Sequence, residues 1–297
     1  MSDIRPAGFV DYALLFGLAA LWGSSFIFIK ISVDSIPPLT QTTYRLFVGM
    51  CFTWLIFAFY REALPRSPRI WCLIALSALV GVALPFFLIS WGQTVVAPGL
   101  TAIFMAIMPL GTLLMAHFFT KDEKFSKWKL IGVGFGIFGI VLLVGPALLG
   151  QLGGDLLHQG AILLGALCYA LNAVVTKYLL EVPKLVLVMF LMTFAFIMVL
   201  PVAFIQEGSF HFDYDLLPMG AVFVLAVFHT VIAGFVLVLI VERQGANFFS
   251  QINLLVPLFG VLWAFLIFSE RPSINAGIAL IFILAGVIVA RGKVKNK

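Results

Sequence analysis

A few basic side chains lie inside long apolar segments of this chain, where they could bind an anion. Arg45 lies some six residues past Pro38-Leu39 within such a segment. Its guanidinium could pair with the carboxylate of a ligand or with Asp34. Lys30 and Lys177 could grip a carboxylate from opposite ends of a central site, or they could extend toward water at the segment ends. A charged group at such a depth is costly, so each is a functional candidate.

His229 is the ionisable side chain that lies nearest the centre of an apolar segment. Two interpretations are open for it. The imidazole faces a cavity, as a hydrogen-bond donor to a ligand or as a proton site, or it is a neutral histidine bonded to a neighbouring helix. Gln251 and Asn253 are polar as well, but they face different sides of one helix, so both cannot line one cavity.

Aromatic and methionine side chains are abundant, and a subset is predicted to line an apolar cavity. Trp22 and Tyr169 stand out because they occupy equivalent positions of an internal repeat. The remaining cavity candidates are aromatic residues, adaptable methionines and one amide: Tyr44, Phe86, Trp91, Met105, Met108, Asn172 and Trp263. Each of them is also compatible with ordinary packing between helices. Such a lining, with neutral polar groups, suits amphipathic zwitterions.

The thirteen acidic residues all lie in loops or at the ends of apolar segments. No carboxylate is therefore predicted near the middle of a segment. Proton-coupled antiporters of cationic drugs usually carry a carboxylate there, which exchanges a proton against the cation. The distribution of acids favours facilitated diffusion or exchange down a gradient over that mechanism.

Membrane-spanning helices must position these side chains, because 63% of the residues are hydrophobic and only 10% are charged. Soluble domains are about 45–50% apolar and about 25% charged. Ten apolar segments have about the 20 residues that cross a bilayer: 12–32, 39–60, 70–92, 96–119, 129–149, 158–180, 184–206, 216–241, 246–268 and 274–291. The sequence thus predicts an all-α polytopic membrane protein.

The chain contains two copies of one pattern. Trp22 and Lys30 recur as Tyr169 and Lys177, each 147 positions later. Five predicted segments fall in each copy, and an odd number inverts the second copy relative to the first. We therefore expect two inverted five-helix repeats, residues 1–149 and 150–297, around a central cavity. Inverted repeats are typical of secondary transporters.

Prolines inside the segments predict kinks, either static or involved in gating: Pro85, Pro109 and Pro257. Glu123 and Glu270 are equivalent in the two copies, and each is followed three positions later by a serine, Ser126 or Ser273. The serines are candidate helix N-caps, and the glutamates would favour the positive helix end. The alternative is a gating salt bridge between a glutamate and basic neighbours.

Basic residues set the expected orientation. With a cytoplasmic N-terminus and alternating loops, fifteen of the eighteen lysines and arginines fall on the inner side, and Arg271 alone on the outer side. The rule that positive loops stay inside then predicts that both termini are cytoplasmic. The excess of basic over acidic residues therefore indicates contact with anionic lipid and not with nucleic acid. The absence of an Asn-x-Ser/Thr sequon leans toward a bacterial plasma membrane.

Other function classes find little support. The three cysteines and four histidines are scattered, so no metal site, cofactor or membrane-enzyme centre is expected. A channel fits less well than a carrier, because inverted repeats with interrupted helices suit alternating access. The expected partners are a small-molecule substrate and membrane lipid, with a monomer as one option for the assembly.

Two stretches carry a family likeness. Leu21-Trp22-Gly23-Ser24-Ser25-Phe26 resembles the opening helix of an EamA-type repeat, and so does the run from Ala97 through Pro109 to Gly139. The second copy repeats both pieces, through Gly245, Pro257, Glu270 and Gly286. About nine tenths of the chain is similar to the ten-helix exporter branch of the drug/metabolite transporter superfamily, and within it to YddG-type aromatic amino-acid exporters.

The resemblance implies a ten-helix carrier that works by alternating access and exports its substrate. Together with the residue pattern, it leads us to expect export of small metabolites, above all aromatic or apolar amino acids. The alternative is a multidrug or metabolite exporter of the same fold that is driven by proton antiport.

Overall fold

The computed structural model describes residues 7–60, 62–119, 127–150, 155–208 and 213–291. Within these residues the chain is helical and contains no strand. Ten helical segments follow one another: α1 (Phe9–Val33), α2 (Pro38–Tyr60), α3 (Pro68–Gly92), α4 (Pro98–Phe119), α5 (Lys127–Gly150), α6 (Asp155–Thr176), α7 (Lys184–Glu207), α8 (Leu216–Phe249), α9 (Ile252–Phe268) and α10 (Ile274–Arg291). Three of the helices, α2 to α4, begin with a proline, which has no N–H to leave unpaired there.

Seven of the segments are long and apolar enough to cross a membrane by length and composition, and Ile252–Phe268 and Ile274–Val289 are shorter apolar helices. The predicted all-α fold with two five-helix repeats is confirmed, and the ten predicted spans agree with the ten segments within a few residues. The largest differences are at the end of α8, which runs to Phe249 and not to residue 241, and at the start of α9, which begins at Ile252 and not at residue 246.

Most of the principal contacts between helices join the first five helices to the last five. Large interfaces form between α1 and α9, α2 and α7, α3 and α6, α4 and α6, α4 and α9, α1 and α8, and α5 and α10. The counterpart of each helix lies five places along the chain, so that α1 corresponds to α6 and α2 to α7. When both helices of a pair are replaced by their counterparts, the result is the same pair or another pair of this set. Two copies related by an approximate twofold axis make this pattern of contacts.

Glycines allow the closest approaches in this interface. A Cβ at Gly23 of α1 would lie 2.7 Å from Phe259 Cβ and 2.8 Å from Gly260 N of α9. A Cβ at Gly260 would lie 2.4 Å from Ala102 Cβ of α4. These helices therefore pack backbone against backbone, as small residues permit in membrane proteins.

Four helices depart from regular geometry, and they form two equivalent pairs. A π-helical turn spans Leu79–Ala83 in α3, and another spans Val227–Ile232 in α8. Helix α4 is interrupted at residues 106–107, just before Pro109. At the matching place in the second copy, residues 250–251 lie between α8 and α9. Gly245, near the end of α8, has a φ of 81°, so α8 is kinked there. Such irregular turns leave backbone groups free and are common where membrane helices have a function.

Candidate functional site

Arg45 of α2 is a buried cation at the interface between the two repeats. Its side chain is 7% exposed, and its guanidinium carbon lies 3.7 Å from the centre of the Phe86 ring of α3. Its Nε and Nη2 both donate hydrogen bonds to Thr230 Oγ1 of α8, at 3.4 and 3.2 Å. The other acceptor predicted for Arg45, Asp34, instead pairs with Lys30 at 2.9 Å. The described residues therefore give Arg45 no carboxylate partner.

Thr230 lies on the π-helical turn of α8, and this turn determines what the hydroxyl can do. Thr230 Oγ1 donates its hydrogen to Leu225 O, five residues earlier, at 3.0 Å. Because a hydroxyl has one hydrogen, Thr230 can only accept from Arg45. Thr230 was not among the predicted site residues, since a threonine beside a histidine in an apolar segment gives no signal of its own.

His229, the neighbour of Thr230, is bonded to α1. Its side chain is 4% exposed, with Nε2 3.0 Å from Ser24 Oγ and Nδ1 3.2 Å from Val224 O. A neutral imidazole that donates from Nδ1 to Val224 O accepts at Nε2 from Ser24, whose single hydroxyl hydrogen then no longer goes to its other acceptor, Leu21 O at 2.8 Å. The arrangement matches the second interpretation of the sequence, a histidine bonded to a neighbouring helix.

Trp22 contacts the same turn from α1. Its indole Nε1 donates to His229 O at 3.3 Å, and its ring meets Phe249 edge to face at 6.1 Å. A regular α-helix would use the His229 carbonyl internally, so the π-turn makes room for this bond across the repeat interface.

Asn172 of α6 makes the equivalent contact with the π-turn of α3. Its Oδ1 accepts a hydrogen bond from Ser77 Oγ at 2.6 Å. Gly81 lies against the Asn172 amide so closely that a Cβ there would be 2.4 Å from Asn172 Cγ. Each π-turn is thus held by a polar residue from the first helix of the other repeat.

Tyr169 and Tyr44 complete the surroundings of Arg45. Tyr169 is close enough to interact electrostatically with Arg45, and it packs against the buried cluster that contains Phe86 and Met192. Tyr44 is 6% exposed and meets Tyr214 edge to face. The structure therefore brings Arg45, Phe86 and Tyr169 together, with Tyr44 beside them in sequence on α2.

The remaining cavity candidates are distributed more widely. Trp91 packs its ring against His158, with centroids 4.6 Å apart, and Trp263 Nε1 donates to Ala20 O at 3.0 Å. Met105 packs against two buried clusters beside α4, and Met108 is half-buried just after the break in that helix. Gln251 is exposed and lies in the break before α9.

The predicted kink prolines lie beside these irregularities. Pro85 follows the π-turn of α3, and Pro109 follows the break in α4. Pro257 lies inside α9, six residues past the break at residue 251. Pro85 and Pro109 lack the N–H that a regular helix would need, which explains why the turns before them are distorted. The turn before Pro257 is helical, so this proline does not account for the break at residues 250–251.

One end of the bundle, named here the Glu270 end, is closed by carboxylates on helix N-termini. Glu270, which follows α9, accepts from Gly99 N of α4 at 3.0 Å, so it faces α4 and not α10. Burial raises the pKa of the Glu270 carboxyl, although the Gly99 N–H and Lys30 act in the opposite direction.

Glu207 of α7 accepts from Leu39 N and Thr40 N of α2 at 3.0 and 2.7 Å. Ser273 caps α10, as its spacing predicted.

Lys30 lies at the Glu270 end and is occupied by local contacts. Besides Asp34, its Nζ donates to the carbonyls of Gln93 and Thr94 at 3.3 and 3.5 Å. Its counterpart Lys177 is exposed in a 3₁₀ turn after α6. Glu123, the counterpart of Glu270, lies outside the described residues.

The opposite end, named the Asp11 end, is joined by a buried carboxylate that sequence analysis treated as an end residue. Asp11 of α1 is 2% exposed, and it accepts from Arg243 Nε at 2.7 Å and from Gln244 Nε2 at 3.0 Å. A carboxylate in the first turn of an apolar segment was the available signal. Its arginine partner, 232 positions away, could not be identified from sequence.

Among the residues that the structure describes, no group of three histidine, cysteine, aspartate or glutamate side chains could hold a metal ion. The polar groups of the interface instead suit hydrogen bonding and the binding of an anion by Arg45.

Comparison with known proteins relates this architecture to a family. The model of the EamA-like transporter family matches the chain twice, at residues 11–145 and 158–292. A solved crystal structure of a protein shares 18% identity and superposes with a TM-score of 0.66, over 96% of this chain and 97% of that one. At this identity the likeness shows the fold alone.

Relatives of full length are named as transporters. The uncharacterized transporter YoaV of Bacillus subtilis (strain 168) is 23% identical, over 93% of this chain and 94% of its own. A probable amino-acid metabolite efflux pump of Salmonella typhimurium is 24% identical, over 96% and 94%. An uncharacterized transporter of Archaeoglobus fulgidus is 25% identical, over 94% and 97%. With both halves matched, this integral membrane chain belongs to the EamA-like transporter family.

Proposed function

We propose that this protein is a secondary transporter that exports small organic metabolites, above all aromatic or apolar amino acids, by alternating access and without a coupled proton. Its role is transport and not catalysis, in keeping with its family. The relative named as a probable amino-acid metabolite efflux pump supports the substrate class, and the export direction follows the same relative.

One observation carries the proposal: three polar side-chain contacts in the interior of the bundle cross from one repeat to the other. They are Arg45 with Thr230, Ser24 with His229, and Ser77 with Asn172. Buried polar groups in a membrane bundle are expensive and mark pathways of substrates. A motion of one repeat against the other would break these contacts and allow new ones to form. A binding site that opens first to one side of the membrane and then to the other requires such a change.

The two ends of the bundle support alternating access. Contacts between the repeats occur at both: Asp11 with Arg243 at one end, Glu270 with Gly99 and Glu207 with Leu39 at the other. We propose that these contacts break one end at a time. Pro85, Pro109, Pro257 and the irregular turns beside them allow the helices to bend in this motion.

The proposed pathway lies between residues 1–149 and 150–297, the two repeats. The side chains that line it at mid-depth are drawn from Trp22, Phe86, Tyr169, Asn172 and His229, with Arg45 among them. On this proposal the protein lies in a bacterial inner membrane with both termini in the cytoplasm, and the bias of its basic residues supports this orientation. An inner membrane transporter of Escherichia coli among its relatives supports the location.

Counterflow in proteoliposomes tests this function. Purified protein is reconstituted with internal unlabelled phenylalanine, and uptake of labelled phenylalanine is measured without a proton gradient. We expect rapid uptake that unlabelled tryptophan or leucine inhibits. Trp22→Ala should slow it, because the variant removes the indole that bridges α1 and the π-turn of α8.

A matched control is Trp128→Ala, since Trp128 is 46% exposed near the start of α5. It should leave counterflow unchanged. Flux that requires an imposed proton gradient, or flux of cationic drugs alone, would contradict the proposal in favour of proton antiport.

A further inference from the structure

We propose that Arg45 binds the carboxylate of the transported molecule, and that this carboxylate, with or without an adjacent amino group, defines the substrate class. The inference rests on the proposed transport function and deepens it. It extends the substrates from amino acids to apolar organic monocarboxylates such as aromatic 2-oxo acids, and it excludes the corresponding amines.

Arg45 has no counter-ion among the residues that the structure describes. Its guanidinium is buried in α2, and within the described residues its only hydrogen-bond acceptor is the neutral hydroxyl of Thr230. Of the acids nearby in space or sequence, Asp34 pairs with Lys30, and Glu207 caps α2. A buried arginine without an anion is unfavourable, so an anion that enters the site gains an interaction that the protein leaves open.

The geometry of the Arg45 donors suits a carboxylate. Nε and Nη2 converge on one oxygen, Thr230 Oγ1, while Nη1 donates no hydrogen bond to any described residue. A carboxylate presents two oxygens to such a fork and forms two charge-assisted bonds, which are stronger than bonds to a neutral hydroxyl. Thr230 Oγ1 thus occupies the place that a carboxylate oxygen of the substrate would take.

Binding of a carboxylate at Arg45 is coupled to movement of the two repeats. Arg45 belongs to the first repeat and Thr230 to the π-turn of the second. A carboxylate that takes over the guanidinium releases Thr230, which keeps its bond to Leu225 O. Substrate binding therefore replaces a contact between the repeats, and it favours the conformation in which they have moved relative to each other.

The rest of the ligand would lie among the groups beside Arg45. These groups are the rings of Phe86 and Tyr169, and both belong to or pack against an apolar cluster that also contains Met192. These surroundings suit an apolar or aromatic body. No described carboxylate lies among them to pair with an ammonium group. An amine without a carboxylate would meet only the positive charge of Arg45, so the site should reject it.

The charge of the substrate also predicts a driving force. A monocarboxylate without an amino group carries one net negative charge, whereas an amino acid carries none. A membrane potential of 100 mV, negative inside, would favour outward movement of the anion roughly 50-fold, which is ~2.3 kcal/mol per elementary charge converted at 1.36 kcal/mol per tenfold. Export of the anion thus needs no proton gradient.

The test compares three compounds that share a phenyl group: phenylpyruvate, phenylalanine and phenethylamine. We expect counterflow of the first two and none of the third in wild-type proteoliposomes. Arg45→Gln should raise the KM for both acids roughly 10- to 150-fold, the loss expected for bonds to a charged group. Arg45→Lys should restore part of the affinity, because it keeps the charge and loses the fork.

Arg69→Gln is the matched control, since Arg69 is exposed at the start of α3, and it should behave as wild type. If Arg45→Gln does not fold, thermal stabilisation of the wild-type protein gives a second measurement. Phenylpyruvate should raise the Tm and phenethylamine should not. An imposed potential, set with potassium and valinomycin, should change the flux of phenylpyruvate but not that of phenylalanine.

The outcomes separate the two proposals. Flux of phenethylamine equal to that of phenylpyruvate, an unchanged KM in folded Arg45→Gln, or stabilisation by the amine would each overturn the carboxylate site while leaving transport intact. If no amino acid or acid crosses at all in a wild-type protein that stays folded, the transport function itself is wrong.

Discussion

Asp11 Oδ1 and Arg243 Nε lie 2.7 Å apart and join the start of the first repeat to the end of α8. Asp11 is almost fully buried, while the Arg243 side chain is 30% exposed. Gln244 Nε2 and Gly8 N donate to the second carboxylate oxygen, each at 3.0 Å. Asp11 thus accepts from donors of both repeats.

Removal of the Asp11 charge should therefore lower stability. We expect Asp11→Asn to reduce the free energy of unfolding by about 3 kcal/mol, the low end for a broken buried pair, because Arg243 retains access to solvent. Glu242→Gln breaks the exposed pair with Lys184 and should change it by less than about 1 kcal/mol. Thermal unfolding in detergent measures both, and equal losses in the two variants would contradict the role assigned to Asp11.

Glu207 should hold the first turn of α2 in place. Gln at this position offers one acceptor oxygen in place of two, so either Leu39 N or Thr40 N loses its bond. We expect Glu207→Gln to speed hydrogen exchange of the amide that loses its bond at least tenfold, in keeping with about 1.5 kcal/mol for a bond to a charged group. Asp213→Asn, an exposed control, should not. Unchanged exchange in Glu207→Gln would argue against a capping role.

Glu270 should make stability depend on pH. Since burial raises its pKa in the folded protein, folding favours the protonated form. The stabilisation linked to Glu270 is fully present below the ordinary carboxyl pKa, and it is lost as the pH rises through the raised value. The Tm of the wild type relative to Glu270→Gln should accordingly fall as the pH is raised from about 4. A difference that grows with pH would show that the bond to Gly99 N outweighs burial.

The stability of the protein should depend on a glycine at position 81, because the Asn172 amide lies directly against it. A Cβ at position 81 would displace the Asn172 amide and weaken its bond to Ser77. We expect Gly81→Ala to cost about 1–3 kcal/mol, as overpacking does. The same change should cost less in an Asn172→Ala background, which opens the space.

Gly17→Ala is the control for this pair, because nothing lies within 4 Å of a Cβ at Gly17. It should leave thermal stability unchanged or slightly higher. Additive effects of Gly81→Ala and Asn172→Ala would mean that the two residues do not interact through this contact.

Much of the fold follows from local sequence. Apolar runs of bilayer length predict the helices, since a backbone in hydrocarbon must bond to itself. The 147-residue spacing of Trp22 and Tyr169 predicts the repeat, and Pro109 predicts the interruption of α4. The π-turns were not predicted, because the one in α8 contains no proline or glycine to signal it.

Composition and spacing along the chain are enough to predict the class of protein, the two repeats and the polar residues that hydrocarbon makes costly. The partners of those residues became known from the packing of the helices. In the structure Lys30 pairs with Asp34 and bonds to carbonyls at the end of α3, His229 bonds to Ser24, and Arg45 bonds to Thr230. Partners up to 232 residues apart are selected by how the two repeats pack, and a single sequence carries no local signal of that packing.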